Sequence, residues 1–90
     1  MSGAKILIID DEKSIRRFLE LSLQAQGYFP YLAKNGTEGL MLWRTQHPDL
    51  IILDLALPDL TGLAVLQTIR AEASVPIIVL TVKNTDQEKV

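Results

Sequence analysis

Acidic side chains sit where apolar runs stop. Lys5–Ile9, KILII, leads straight into Asp10, Asp11 and Glu12, and the run LIIL, Leu50–Leu53, leads into Asp54. If the ends of these two runs are neighbours, Asp10, Asp11 and Asp54 converge in one place. Carboxylates that close resist ionising together unless a cation lies between them. A hard divalent ion such as Mg²⁺, which takes oxygen ligands, meets that need. A carboxylate beside such an ion can also attack a phosphoryl group and become an aspartyl phosphate. The metal then offsets charge on both the accepting and the transferring oxygens. Thr81 follows a third apolar run, IIVL. A hydroxyl there can hydrogen-bond an anionic group held near Asp54.

The elements that must position these residues alternate in texture. KILII is continuously apolar, as suits a strand buried on both faces of a parallel sheet. In the next stretch Ile15, Phe18, Leu19 and Leu23 recur at helical spacing, and Gly27 offers a helix stop. Tyr28–Ala33 has strand-forming aromatics interrupted by Pro30, which belongs on a sheet edge. Asn35-Gly36 signals a turn, and a helix is predicted to follow to about Gln46, closed by His47-Pro48. LIILD is the next buried strand. Pro58 and Gly62 punctuate the loop behind it. A third helix has Leu63, Leu66 and Ile69 on one side, and Pro76 opens a fourth strand. The order βαβαβαβ predicts an α/β domain with a parallel sheet and helices on both faces. In such sheets ligands bind beyond the carboxyl ends of the strands, which is where the acids fall.

Ninety residues allow one domain, and the 48% apolar share supports a core rather than a disordered chain. A net charge of −2 with scattered basic residues gives no footprint for direct nucleic-acid binding. The absence of cysteine excludes disulfides, thiolate zinc sites and thiol catalysis. No apolar run approaches a membrane span, and the N-terminus lacks the features of a signal peptide, so the expected location is cytoplasmic.

Three stretches together carry a resemblance: ILIIDDE (6–12), PDLIILDLALPDLTG (48–62) and VPIIVLT (75–81). They resemble the receiver domain of bacterial two-component response regulators, and most of all winged-helix regulators of the Kdp type. The resemblance implies a flavodoxin-like three-layer sandwich whose parallel sheet has the order 2-1-3-4. It implies that Asp54 is the phospho-acceptor. Asp11 would bind Mg²⁺ directly, Asp10 largely through water, and the backbone carbonyl of Ala56 would be a further ligand. Thr81 would be the switch hydroxyl. The implied partners are a sensor histidine kinase and a downstream, transcriptional output domain. No helix-turn-helix for such an output is present in residues 1–90. The chain also departs from the family pattern. The fifth strand, ending in a lysine followed by proline, and the fifth helix have no counterpart, and neither Lys83 nor Lys89 follows an apolar strand. The expectation is an incomplete receiver with its fourth strand as an exposed edge. Such an edge invites a homodimer or a domain swap, and loss of the lysine should impair phosphoryl transfer.

Two other readings compete. A mononucleotide-binding flavodoxin-like domain would share the sheet order but needs a phosphate loop where this chain has DDE, which repels phosphate. A receiver that serves only as a dimerising module would bind Mg²⁺ at most. Individual residues have plainer readings as well. Asp10, Asp11 and Asp54 can be helix caps or strand ends. Glu12 reads as a first-turn helix charge, Asp59 as a loop or capping residue, and His47 as a helix-end cation. Trp43 reads as packing, and Arg16-Arg17 as a solvated face or a docking point for a partner.

Overall fold

The computed structural model describes residues 3–80. Within them the chain forms β1 (Lys5–Ile9), α1 (Lys13–Ala25), β2 (Phe29–Ala33), α2 (Gly36–Gln46), β3 (Leu50–Asp54), α3 (Gly62–Arg70) and β4 (Ile77–Leu80). The strands make one parallel sheet in the order β2-β1-β3-β4. This is the predicted order, and β2 with its Pro30 lies on an edge. No fifth strand is present among the described residues. Thr81, Lys83 and Lys89 lie outside them.

Side chains alternate across a strand, so each buried run feeds two layers. Leu7 and Ile9 of β1 and Ile51 and Leu53 of β3 pack with Trp43 of α2 and Val65 and Ile69 of α3. Ile6, Ile8 and Ile52 face the other way, toward Leu19 and Leu23 of α1. Helices on both faces are what the continuous apolar runs required. Gly39 allows α2 to lie close on β1: a Cβ there would come within 2.6 Å of Ile9 Cδ1.

The helix faces differ from the predicted ones at two positions. Phe18 has helical spacing with Leu19 and Leu23 but is 65% exposed. The flank of α1 that carries it has no described element above it, and none of the residues of α1 is fully buried. In α3 the buried stripe is Val65 and Ile69, and Leu63, in the helix's first turn, is left exposed. Spacing alone does not set which way a helix is rotated on the sheet. Among the described residues β4 pairs only with β3, and its Ile78 and Val79 are exposed.

The helix ends follow local chemistry. The turn after α1 uses Gly27 at φ 88°, as its lack of a Cβ permits. α2 ends at His47, whose N–H reaches the Trp43 carbonyl at 3.2 Å from a left-handed conformation, φ 49°. His47 is thus a structural helix end, as expected.

Candidate functional site

The pairing of β1 with β3 decides where the acids go. Ile8 lies beside Ile52 and Ile9 beside Leu53. One further step in that register puts Asp10 level with Asp54, and alternation turns both toward the α1 layer. Asp10 and Asp54 are 3% and 5% exposed, whereas Asp11, one residue further from the sheet, is exposed. Carboxylate oxygens from Asp10, Asp11 and Asp54 all lie within 4.8 Å of one another.

Each buried carboxylate is oriented by a backbone N–H two residues ahead. Glu12 N–H donates to Asp10 Oδ1 at 2.8 Å, and Ala56 N–H donates to Asp54 Oδ1 at 3.1 Å. These turns explain why the acids are not caps. The N-cap position of α1 belongs to Glu12, whose side chain makes no capping bond, so Glu12 precedes the first turn instead of lying in it. Burial pushes the Asp10 carboxyl above its ordinary pKa. The Glu12 N–H opposes this shift, while the charges of Asp54, Asp11 and Glu12 add to it. An apolar cleft lined by Ile15, Phe18, Leu19 and Leu80 borders Asp10.

The donor set fits a divalent cation. Two carboxylates are buried side by side, and the ion pairs among the described residues, Arg17–Glu20 and Arg44–Glu72, involve none of the three acids. Oxygen-only donors with this much negative charge suit a hard ion such as Mg²⁺. Ala56 lies in the loop after β3, two residues past Asp54.

Two residues that bear on the site are not evident from sequence patterns. The Arg16 guanidinium donates from Nη1 to the backbone carbonyl of Asp10 at 2.8 Å, fixing the peptide between Asp10 and Asp11. Its neighbour Arg17 pairs with Glu20 on the solvated face. Asp59, read from sequence as a loop or capping residue, reaches across to α2. Gly36 N–H and Thr37 N–H donate to it at 2.8 and 2.9 Å, Thr37 Oγ1 at 2.6 Å, and Leu60 N–H at 2.8 Å. Its carboxyl is held well below the usual carboxylate range by the Thr37 hydroxyl first; burial opposes this, and the three N–H groups add to the lowering. An i,i+6 arginine contact and a carboxylate that caps a helix 22 or 23 residues earlier lie outside any short motif.

The fold is a parallel α/β domain of sheet order 2-1-3-4 with an acidic cluster beyond the ends of β1 and β3. Residues 6–90 match the response regulator receiver domain, and the chain belongs to that family. It is 49% identical over 81 residues to the probable transcriptional regulator ycf27 of Porphyridium aerugineum, covering 90% of this chain and 34% of that protein. It is 40% identical over 85 residues to the KDP operon transcriptional regulatory protein KdpE of Escherichia coli, covering 94% of this chain and 38% of that protein. Among solved structures it is similar to the response regulator protein TrrA of Thermotoga maritima in complex with Mg²⁺-BeF. That match has a TM-score of 0.73 and 40% identity, and covers 77% of this chain and 60% of the other. The chain therefore spans about a third of the length of these curated relatives. No helix among the described residues is long and apolar enough to cross a membrane.

Proposed function

We propose that this chain is the phospho-acceptor receiver of a two-component system and that Asp54 takes a phosphoryl group from a partner histidine kinase. The observation that carries this reading is the convergence of Asp10, Asp11 and Asp54, with oxygens within 4.8 Å and two of the three acids buried. In this reading Asp11 and Asp54, with the Ala56 backbone carbonyl, hold Mg²⁺ directly, and Asp10 acts largely through water. The bound ion supplies positive charge where the accepting and transferring oxygens gather negative charge.

The chain's own residues do the rest. β3 delivers Asp54 on a rigid strand end, and the Ala56 N–H occupies Oδ1. That leaves Oδ2 as the oxygen that bonds to phosphorus while the bond to the donor nitrogen breaks. Asp10, buried beside it, gives the cluster its demand for a cation. Thr81 is proposed as the hydroxyl that bonds the new phosphoryl group. The TrrA complex supports the reading, since it holds Mg²⁺ together with beryllium fluoride, a tetrahedral anionic stand-in for a phosphoryl group. The curated relatives are named as transcriptional regulators, so the output of the switch is proposed to be transcriptional and to act in the cytoplasm, through a domain outside these 90 residues. A local charge change of this kind acts by biasing a surface with two arrangements.

The test is to incubate the chain with acetyl phosphate and Mg²⁺ and record its intact mass beside an Asp54→Asn control. A phosphoryl adduct on the parent alone supports the reading. An adduct on both overturns the assignment of Asp54, and an adduct on neither overturns the reading of these 90 residues as a competent phospho-acceptor.

A further inference from the structure

The loop 55–61 serves the site through a single residue. Ala56 supplies the N–H that orients Asp54 and, in the proposed function, the carbonyl that meets the cation. Most of this loop is exposed, and only Leu57 and Leu60 pack partly against the core. Such a segment needs fixed points to hold a peptide group in place. Its end is fixed where Gly62 N–H donates to the Leu55 carbonyl at 2.9 Å. Its middle is fixed by Asp59.

The Asp59 carboxylate is an acceptor with two oxygens, and it takes four donors. Two of these are first-turn N–H groups of α2, which have no partner within the helix. The next one, Glu38 N–H, goes to the Asn35 side chain at 2.8 Å. The first turn of α2 is therefore shared between its own cap and a residue of the loop beyond β3. Nothing separates the two segments: a Cβ on Gly36 would come within 2.9 Å of Leu60 Cβ. α2 is itself seated on the core by Gly39 against Ile9 and by buried Trp43. A continuous line of contacts thus runs from β1 through α2, Asp59 and the loop to Ala56 and Asp54.

We infer that Asp59 is a positioning residue for the cation site: it latches the 55–61 loop to the start of α2 and so holds Ala56 against Asp54. The inference rests on the proposed function for its cation half, while the latch itself exists without metal. An Asp59 that merely caps α2 would affect the stability of the helix and leave the site of a folded molecule unchanged. The two roles separate in measurements made on folded protein well below its melting temperature.

The experiment compares the parent with Asp59→Ala and Thr37→Val by amide NMR. It reads Mg²⁺ affinity by titration and hydrogen exchange of the Ala56 N–H in metal-free protein. The expected result is a folded Asp59→Ala chain whose Mg²⁺ dissociation constant rises about tenfold, the scale of outer-shell effects on metal sites. Its Ala56 N–H exchanges faster, and Thr37→Val shifts both readouts the same way by less. If Asp59→Ala does not fold, Thr37→Val, which removes one donor of four, decides on the same two readouts. Unchanged Mg²⁺ affinity in the folded variant overturns the inference, even with faster exchange. Unchanged exchange at Ala56 overturns the latch whatever the metal does. A parent chain that binds no Mg²⁺ overturns the functional reading and the cation half of this inference, and the exchange rates then judge the latch alone.

Discussion

Asp54 and Asp59 lie within one short stretch of the chain and live under opposite conditions. Asp54 is 5% exposed, adjoins Asp10 and Asp11, and receives one N–H bond among the described residues. Asp59 is exposed and receives four bonds. The same contrast holds for the titration of Asp10 and Asp59: burial and neighbouring charges raise one, and donors lower the other. A carboxylate that is buried with its own kind holds an unmet demand for positive charge. A carboxylate supplied with donors has no such demand and becomes a fastener. Acidity in this chain is thus put to two uses, and the local donors decide which.

The comparison is tested most severely at the acidic cluster. Asp11→Asn should weaken Mg²⁺ binding by about tenfold or more, since it removes a charged oxygen donor, and calorimetric titration would show it. Equal affinity in the variant would break the assignment of Asp11 as a ligand.

The next largest effect concerns the joint between the two regions. A Cβ at Gly62 would collide with Leu55 Cα and come within 2.5 Å of Asp54 O, both backbone atoms that cannot rotate away. Gly62→Ala should therefore destabilise the chain by about 1–3 kcal/mol, the usual range for overpacking, and urea unfolding would measure it. An unchanged midpoint would show that the loop has room that these contacts deny.

The third test uses metal and charge together. In metal-free protein Asp10→Asn should raise the melting temperature by a few degrees. It removes a buried charge and keeps an oxygen for the Glu12 N–H. Mg²⁺ should stabilise the parent by about 2.7 kcal/mol at a hundredfold excess over its dissociation constant, and Asp10→Asn should reduce that gain. A metal-free Asp10→Asn chain that melts lower would mean that the Asp10 charge is already compensated.

The smallest effects are in pH. Asp10 has a raised pKa, so its charge opposes folding above that raised value and ceases to as pH falls through it. The advantage of metal-free Asp10→Asn is then full above that raised value and gone below the ordinary value of 3.8. Asp59 has a lowered pKa, so its contribution is full above 3.8 and is lost as pH falls toward the folded value. Asp59→Ala should be less stable than the parent at pH 7, by an amount that shrinks as the solution is acidified below that point. Melting curves from neutral pH downward should show the two differences with opposite signs, each diminishing toward acid. Differences of the same sign would remove the contrast between the two carboxylates.

Much of this was legible in the sequence. Apolar runs flanked by helical spacings specified the alternating elements, because burial on both faces and a 3.6-residue period are local signals. The convergence of the acids at the run ends, Asp10, Asp11 and Asp54, was legible because strands of a parallel sheet present their carboxyl ends on one side. The position of Trp43 in the core and of Pro30 on an edge followed from the same reasoning.

Other features belong to the fold alone. Register between β1 and β3 put Asp10 level with Asp54, and strand pairing depends on the path of the whole crossover. The rotation of α1 and α3 on the sheet exposed Phe18 and Leu63 in spite of their spacing. Arg16 found the Asp10 carbonyl, and Asp59 found Gly36 and Thr37, only once loop and helix were brought together. A residue's hydrophobicity, charge and period are its own, and the sequence determines them. A hydrogen bond between residues 22 or 23 positions apart exists only when the rest of the chain has already brought its donor and acceptor within reach.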